Sequence, residues 1–215
     1  GVIDVSAVKA AIRSETALVM LQAANNVTGV VQPLSEIIAS LRAKGYQGVI
    51  ATDATQAILK SSLDFAELFE LGLDAIVFSG HKLGAPAGIG GIVIKQDREQ
   101  CRLFTPLLHG GPQEMRFRAG TENLLGISAL AAVAGVLSKS QIAERERIFN
   151  LRERLWQQVK IGLEGVSRLT PLDDGDCLTA LSNTLALYIE GIRGDDLVVN
   201  LDLKGVAIST GSACS

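Results

Sequence analysis

The 215-residue sequence has few cysteines and no large excess of charge of either sign. Cys101, Cys177 and Cys214 are too few and too scattered for a disulfide framework, and they lack the Cys-x-x-Cys pairing of a zinc site. Twenty Lys and Arg residues stand against 23 Asp and Glu, so the positive excess expected of a nucleic-acid-binding protein is missing. The sequence therefore predicts neither a metal site nor a nucleic-acid partner.

Long hydrophobic runs are missing as well, since no apolar run reaches the roughly 18 to 20 residues that a membrane span requires. Residues 1–4, Gly-Val-Ile-Asp, have neither the basic start nor the apolar stretch of a signal peptide. The sequence also contains no internal repeat, low-complexity tract or Gly/Ser linker. These absences predict a cytoplasmic protein without a membrane partner.

What the sequence does contain is a regular alternation of two patterns, in a composition (47% hydrophobic, 20% charged) typical of an ordered globular protein. Strand-like apolar runs alternate with amphipathic stretches of helical length, which predicts an α/β fold with a mainly parallel sheet. Strands are predicted at 17–23, 48–52, 75–78, 88–95, 184–189 and 206–209, and helices at 5–13, 34–44, 64–71, 122–137, 141–163 and 195–203. The Ala-rich helix 122–137 is expected to be buried, and the long helix after it is expected to separate two lobes.

Two short polar motifs follow predicted strands. Thr52-Asp53-Ala54-Thr55-Gln56 lies at the carboxyl end of one strand, the edge at which open α/β sheets bind ligands. A lone Asp at that place is also typical of a helix N-cap or an Asx turn. Ser79-Gly80-His81-Lys82 follows the next predicted strand, where a lysine beside an apolar strand can take part in Schiff-base chemistry. A solvated loop lysine is the alternative, but the two motifs together favour a site.

Two glycine-rich stretches come next. Gly84–Gly91 enters a strand instead of leaving one for a helix, so the dinucleotide-binding fingerprint fails and we interpret the glycines as close packing beneath a site. His109–Glu114 is followed by Arg118–Asn123, where glycines, a hydroxyl and an arginine before a helix suit an anion cradle. The alternative is a simple N-cap in which Thr121 holds the start of the helix.

Cys214 ends the run Ser209-Thr210-Gly211-Ser212-Ala213-Cys214, beside the last residue of the sequence. Small residues around one thiol predict an accessible loop, which is the environment that a nucleophilic cysteine needs. Most single cysteines are inert core residues, and that is the prediction for Cys101 and Cys177. Cys214 differs because no apolar pattern surrounds it.

Together these motifs resemble those of the cysteine desulfurases of the NifS/IscS type, members of the class-V aminotransferase group of fold-type-I pyridoxal-phosphate enzymes. The resemblance rests on five motifs in family order: Ala24–Pro33, Asp53–Gln56, Ser79–Lys82, Gly110–Asn123 and Gly211–Cys214. It implies a three-layer α/β/α sandwich with a mainly parallel sheet. Residues 1–140 would be part of the large cofactor-binding domain, and residues 141–215 part of a smaller α+β C-terminal domain.

The resemblance also implies roles for individual residues. Lys82 would bond covalently to pyridoxal 5′-phosphate, and Cys214 would be the nucleophile that takes the substrate sulfur as a persulfide. Asp53 would pair with the pyridine nitrogen and Gln56 with the ring hydroxyl. The remaining cofactor contacts would be Asn26, Ser79, His81 and Thr121, the last reaching the phosphate of a neighbouring subunit in a homodimer.

The implied reaction converts L-cysteine to L-alanine and supplies sulfur to an acceptor or scaffold protein, for iron–sulfur cluster assembly or thio-modification. Another class-V enzyme, a selenocysteine lyase or an aminotransferase, would share Asp53, Gln56 and Lys82, but a transaminase has no use for the thiol of Cys214. Family members are considerably longer, so the resemblance implies an internal fragment. A non-catalytic folded module is therefore a third alternative.

The sequence departs from the family pattern at a few positions. Val27 stands where the family usually has Glu, Pro112 where it has Gly, and Met115-Arg116 where it has Arg-Gly. Ala85 and Ala87 lie in a loop that more often carries Gly and Lys. These departures concern substrate positioning and loop detail, and they leave the implied cofactor residues intact.

Overall fold

The structure is a computed structural model that describes residues 1–95, 105–171 and 179–211. Its first part alternates helices and strands: α1 (Val5–Ala11), β1 (Leu18–Gln22), α2 (Leu34–Ala43), β2 (Val49–Asp53), α3 (Phe65–Leu71), β3 (Ala75–Ser79) and β4 (Gly90–Ile94). Its second part consists of α4 (Leu124–Gly162), β5 (Val166–Arg168), β6 (Leu187–Ile189) and α5 (Gly194–Asp202). Cys101, Cys177 and Cys214 lie outside the described residues.

The main sheet has four strands in the order β1-β2-β3-β4. β1, β2 and β3 are parallel, with Gln22 opposite Asp53 and Asp53 opposite Val77, whereas β4 is antiparallel to β3. The crossovers between the parallel strands contain α2 and α3, as parallel pairing requires. The predicted α/β fold with a mainly parallel sheet is therefore confirmed. β5 and β6 form a separate antiparallel pair.

The hydrophobic core lies between one face of the main sheet and the helices α1, α2 and α3. Val19 of β1, Ile50 of β2 and Ile38 of α2 belong to this core and are at most 9% exposed. Each large aliphatic side chain buried in this way contributes about 1.5–3 kcal/mol. Leu18 and Met20 alternate with Val19 along β1 and are 54% and 46% exposed on the opposite face. One face of the sheet is thus a packed layer that fixes the positions of the strand ends.

The helix α4 differs from the prediction in two ways. The helices predicted at 122–137 and 141–163 are one continuous helix, because no Gly or Pro interrupts the residues that join them. Its Ala-rich first half is not buried, since Leu124 and Leu125 are 68% and 87% exposed. Among the described elements, α4 packs against β5 and the turn after β3, and these contacts leave its apolar first half open.

The strands predicted near the C-terminus are also corrected. Residues 206–209 form no strand, because no strand among the described residues pairs with them. The strand predicted at 184–189 is shortened to β6, which pairs with the unpredicted β5.

The length of α4 bears on the expected absence of a membrane-spanning segment. An 18-residue window of the helix has a mean hydropathy of 1.4, and only 6% of that window is buried. By length and composition alone this helix could cross a membrane. The prediction that no segment is long and apolar enough for a membrane span is therefore wrong by the criterion of length and hydropathy. Such a match is weak evidence, because core helices of soluble proteins meet the same criterion.

A buried carboxylate ties the sheet to α2. Asp74 Oδ2 accepts a hydrogen bond of 2.6 Å from Arg42 and one of 2.7 Å from the backbone N–H of Ile50. The Asp74 side chain is 3% exposed, and the Arg42 guanidinium also donates to the carbonyl oxygens of Gly72 and Tyr46. Removing the carboxylate would leave a guanidinium and an N–H group without their charged acceptor.

We therefore predict that Asp74→Ala lowers the free energy of unfolding by about 3 kcal/mol or more, the cost of breaking a buried ion pair on one side. Urea denaturation measures this loss. Glu36→Ala, an exposed acidic residue in the first turn of α2, is the control and should cost less than about 1 kcal/mol. Equal losses in the two variants would contradict the structural role of Asp74.

Candidate functional site

The carboxyl ends of β1, β2 and β3 bring three predicted motifs to one edge of the sheet. The backbone N–H of Ala23, just after β1, donates to the carbonyl oxygen of Asp53 at 2.8 Å. The hydroxyl of Thr55, just after β2, accepts a hydrogen bond of 3.2 Å from the backbone N–H of Ser79. These bonds join the three loops directly, so the polar residues that the loops carry are neighbours.

Asp53 is half-buried at the end of β2, and its two carboxylate oxygens have different surroundings. Oδ1 accepts a hydrogen bond of 2.9 Å from the backbone N–H of Thr55, which is the Asx turn considered as the alternative for this residue. Oδ2 accepts no hydrogen bond from the part of the chain that the structure describes. The turn orients the carboxylate and leaves one oxygen available to a ligand.

Gln56 follows on the same turn and is half-buried. Its side-chain amide makes no hydrogen bond to any residue in the described ranges. The amide can therefore serve a ligand as donor or acceptor.

The Ser79–Lys82 motif continues from β3 into a short 3₁₀ helix, Gly80–Leu83. The N–H of Gly80 donates to the carbonyl oxygen of Ile89 at 2.8 Å, and a Cβ on Gly80 would lie only 3.0 Å from that oxygen. A Cβ on Gly90 would lie 2.6 Å from the carbonyl oxygen of Phe78. Both close approaches agree with the interpretation of Gly84–Gly91 as packing beneath a site.

Within this motif the Ser79 hydroxyl and His81 Nδ1 are 2.7 Å apart, and the tautomer of the imidazole decides which of them donates. His81 is exposed, whereas Lys82 is half-buried. The Lys82 ammonium has no hydrogen-bond or ion-pair partner among the described residues. A hydroxyl, an imidazole and an amine are therefore carried by one short turn, and the hydrogen bond from Ser79 to Thr55 ties this turn to the loop that follows Asp53.

Asn26 lies in the turn after β1, beside the same edge, and its side chain is exposed. The neighbouring Asn25 shapes this turn, since its Oδ1 accepts hydrogen bonds of 2.9 and 2.8 Å from the backbone N–H groups of Val27 and Thr28. Asn26 thus lies in the loop whose first residue, Ala23, is hydrogen-bonded to Asp53.

Thr121 is exposed three residues before α4, and its carbonyl oxygen accepts a hydrogen bond from Arg118. The helix start is held by Asn123, whose Oδ1 accepts a hydrogen bond of 3.0 Å from the N–H of Gly126. The interpretation of Thr121 as the N-cap is therefore wrong, because the side chain that reaches the first turn is two residues later.

Cys214, the predicted nucleophile, lies outside the described residues. No cluster of three or more His, Cys, Asp or Glu side chains suited to a metal ion occurs within residues 1–95, 105–171 and 179–211.

Sequence reasoning missed Lys60, which lies in the turns after Gln56. Lys60 is half-buried, and its pKa is lowered by burial and, secondarily, by repulsion from the charge of Lys82. No local pattern in the sequence marks Lys60, because sequence alone does not separate a half-buried lysine from a solvated one.

A strained backbone turn lies in the segment that the sequence pattern marked before α4. Glu114, Met115 and Arg116 have φ values of +47°, +54° and +75°, the left-handed region that disfavours side chains with a Cβ. Arg116 occupies a position at which the resembling family usually has glycine. Its conformation explains that preference, because glycine adopts positive φ without steric cost.

We predict that Arg116→Gly raises the free energy of unfolding by about 1 kcal/mol, because it relieves one strained residue. Thermal or urea denaturation measures the gain. Lys139→Gly, an exposed residue inside α4, is the control and should lose about 1 kcal/mol. A loss of stability in Arg116→Gly would show that the left-handed turn is not strained.

The site thus combines an aspartate at the end of β2 with a Ser-x-His-Lys turn at the end of β3, its parallel neighbour. The chain matches the family described as aminotransferase class-V over residues 1–215, and it belongs to that family.

Within this class the chain is similar to cysteine desulfurases. It is 39% identical to cysteine desulfurase 2 of Trichormus variabilis and 33% identical to cysteine desulfurase IscS of Dictyoglomus turgidum, in each case over 100% of the chain. It covers 50% and 51% of those two proteins, so the chain spans about half the length of the curated relatives that it matches.

Solved structures of similar proteins confirm the fold. A NifS-like protein superposes with a TM-score of 0.84 at 28% identity, over 97% of this chain and 53% of its own. A NifS-like protein from Rickettsia africae superposes with a TM-score of 0.83 at 26% identity, over 99% of this chain and 56% of its own. The fold-type-I α/β prediction is therefore confirmed.

The polar side chains at this edge fit pyridoxal phosphate, the cofactor that the resemblance implies. A carboxylate with an available oxygen suits a protonated pyridine nitrogen, and Asp53 presents one. The Ser79 hydroxyl and the His81 imidazole can donate to a phosphate, and the Lys82 amine can bond to an aldehyde. The chemistry of these four side chains matches the functional groups of the cofactor.

Proposed function

We propose that the chain is part of a pyridoxal-phosphate-dependent cysteine desulfurase that converts L-cysteine to L-alanine. The observation that carries this proposal is the direct hydrogen bonding between the loops of Asp53 and Ser79–Lys82 at one edge of a parallel sheet. The names of the similar proteins support it. So does a solved structure titled SspA in complex with cysteine, which is 29% identical and superposes with a TM-score of 0.69.

The side chains at the edge divide the work of binding the cofactor and moving protons. Pyridoxal phosphate, when bound, supplies an electron sink for negative charge at the substrate α-carbon. Asp53 holds the ring nitrogen in its protonated form through the oxygen that is not used by the Asx turn. Gln56 binds the ring hydroxyl, and Ser79 and His81 bind the phosphate. Lys82 attaches the cofactor and moves a proton at the substrate α-carbon.

Cys214 completes the proposed reaction by accepting the sulfur. Its thiolate attacks the substrate sulfur, so that a sulfur–sulfur bond forms and the substrate Cβ–S bond breaks. The electron pair of the broken bond stays on the substrate carbon and takes up a proton. L-Alanine leaves, the persulfide remains on Cys214, and no external oxidant is needed.

The surroundings of this reaction are part of the same proposal. Residues 1–140 belong to the large cofactor-binding domain and residues 141–215 to the smaller domain that carries Cys214. A homodimer allows the exposed Thr121 to reach the phosphate in the other subunit, and Asn26 contacts the cofactor from the turn after β1. The persulfide passes to an acceptor or scaffold protein in the cytoplasm, for iron–sulfur cluster assembly or thio-modification.

Lys82→Ala tests the attachment of the cofactor. The purified protein with added pyridoxal phosphate should show a visible absorption band from the covalent bond, and Lys82→Ala should abolish it because the bond is proposed to form at the Lys82 amine. Lys139→Ala, an exposed lysine of α4, is the control and should keep the band. A band that persists in Lys82→Ala would contradict the assignment of Lys82.

Cys214→Ser tests the sulfur-transfer step in the intact protein. The variant should keep the absorption band but lose alanine formation from cysteine in the presence of a reductant, because a hydroxyl is a poor nucleophile toward sulfur. Cys101→Ser and Cys177→Ser, the other two cysteines, are matched controls and should retain the activity. Unchanged alanine formation in Cys214→Ser would favour a different class-V activity.

A further inference from the structure

Lys60 is a half-buried cation without an anionic partner. The part of the chain that the structure describes offers its ammonium group no hydrogen bond and no carboxylate in ion-pair contact. Burial and the nearby charge of Lys82 both lower its pKa. A charge removed from water costs free energy unless it is paired, so Lys60 destabilises the ligand-free protein at neutral pH.

Hydrogen bonds of the surrounding turn hold the backbone of Lys60 in position. Its N–H donates to the carbonyl oxygen of Ala57 at 3.0 Å, and the same oxygen accepts the Ser61 hydroxyl, also at 3.0 Å. Arg145 of α4 donates to the carbonyl oxygen of Ser61 and holds the far end of the turn. Leu59 has a φ of +59°, which is unusual for a large side chain. Contacts on both sides of Lys60 therefore hold the turn that carries it.

The turns that carry Lys60 are also connected to the proposed site. The hydrogen bond from Ser79 to Thr55 ties the turns that carry Lys60 to the turn that carries Lys82. Repulsion from the charge of Lys82 is the second cause, after burial, of the lowered pKa of Lys60. Neighbouring positive charges in a partly desolvated place create a potential that attracts an anion.

We propose that Lys60 binds an anionic oxygen group of the ligand that is held at this edge of the sheet, next to Lys82. The inference rests on the proposed function and adds a ligand-binding residue to it. The phosphate of the cofactor and the carboxylate of an amino-acid substrate share the required chemistry, because a lysine ammonium binds either as a point charge. The two sources are separated by experiment.

The experiment compares three variants of the protein. Lys60→Met removes the charge and keeps the apolar stem, Lys60→Arg keeps the charge, and Lys139→Met removes an exposed charge from α4 as a matched control. For each variant, dissociation constants are measured by spectroscopic titration with pyridoxal phosphate and with pyridoxal, which has the same ring and aldehyde but no phosphate. Inorganic phosphate is tested as a competitor, and L-alanine is titrated into the cofactor-loaded protein.

If the anion is the phosphate, Lys60→Met should bind pyridoxal phosphate and inorganic phosphate at least about tenfold more weakly, while pyridoxal binding stays unchanged. If the anion is the carboxylate, only L-alanine binding should weaken. In either case Lys60→Arg should restore most of the affinity. Unchanged binding of all four probes would overturn the proposal, and so would equal weakening of pyridoxal phosphate and pyridoxal.

The melting temperature of the ligand-free protein gives a second readout. Lys60→Met should raise this melting temperature, because it removes a half-buried charge that has no partner in the ligand-free protein. Residues that bind ligands often reduce stability in this way. A merely structural lysine would give the opposite sign, and a lowered melting temperature in Lys60→Met would overturn the proposal.

Failure of the proposed function has a different signature. If the unaltered protein shows no band with pyridoxal phosphate, the desulfurase proposal fails, while calorimetric titration of the ligand-free protein with inorganic phosphate and with L-alanine still tests Lys60. Weaker binding of either anion to Lys60→Met than to Lys139→Met would then support the role of Lys60 on its own, and equal binding of both anions would overturn it.

Discussion

The parallel pairing of β1, β2 and β3 decides where polar side chains can meet in this protein. Gln22 lies opposite Asp53, and Asp53 opposite Val77, so all three strands end at the same edge. One face of these strands is packed against α1, α2 and α3, and this packing fixes the strand ends. The hydrogen bond from Ser79 to Thr55 then joins two of the loops that leave the sheet. Every functional proposal for the chain depends on that alignment.

Several polar groups near this edge have no hydrogen-bond or ion-pair partner among the described residues. One oxygen of Asp53, the ammonium of Lys82 and the half-buried charge of Lys60 lack partners within those ranges. Buried polar groups without partners cost stability, and proteins keep them mainly where a ligand satisfies them. The core behind the edge supplies the stability that this arrangement requires. The stability of the packed core thus allows the sheet edge to keep polar groups that only a ligand would pair.

The sequence predicted the alternating fold and the positions of Asp53 and Lys82, because strands that end in polar motifs leave a local signal. It did not predict the exposure of Leu125, since an apolar helix has the same pattern whether or not another segment covers it. The N-cap at Asn123 was missed because Thr121 is an equally good capping type. Lys60 was missed because its half-burial is set by tertiary packing, which no local pattern reports.

The central claim is that this edge of the sheet holds pyridoxal phosphate through Lys82. Reduction of the protein with borohydride in the presence of the cofactor, followed by peptide mapping by mass spectrometry, tests it most directly because the reduced bond is permanent. We expect the pyridoxyl label on Lys82 alone, in the peptide that contains the Ser-Gly-His-Lys motif. A label on Lys60 or another lysine, or no label at all, would contradict the claim.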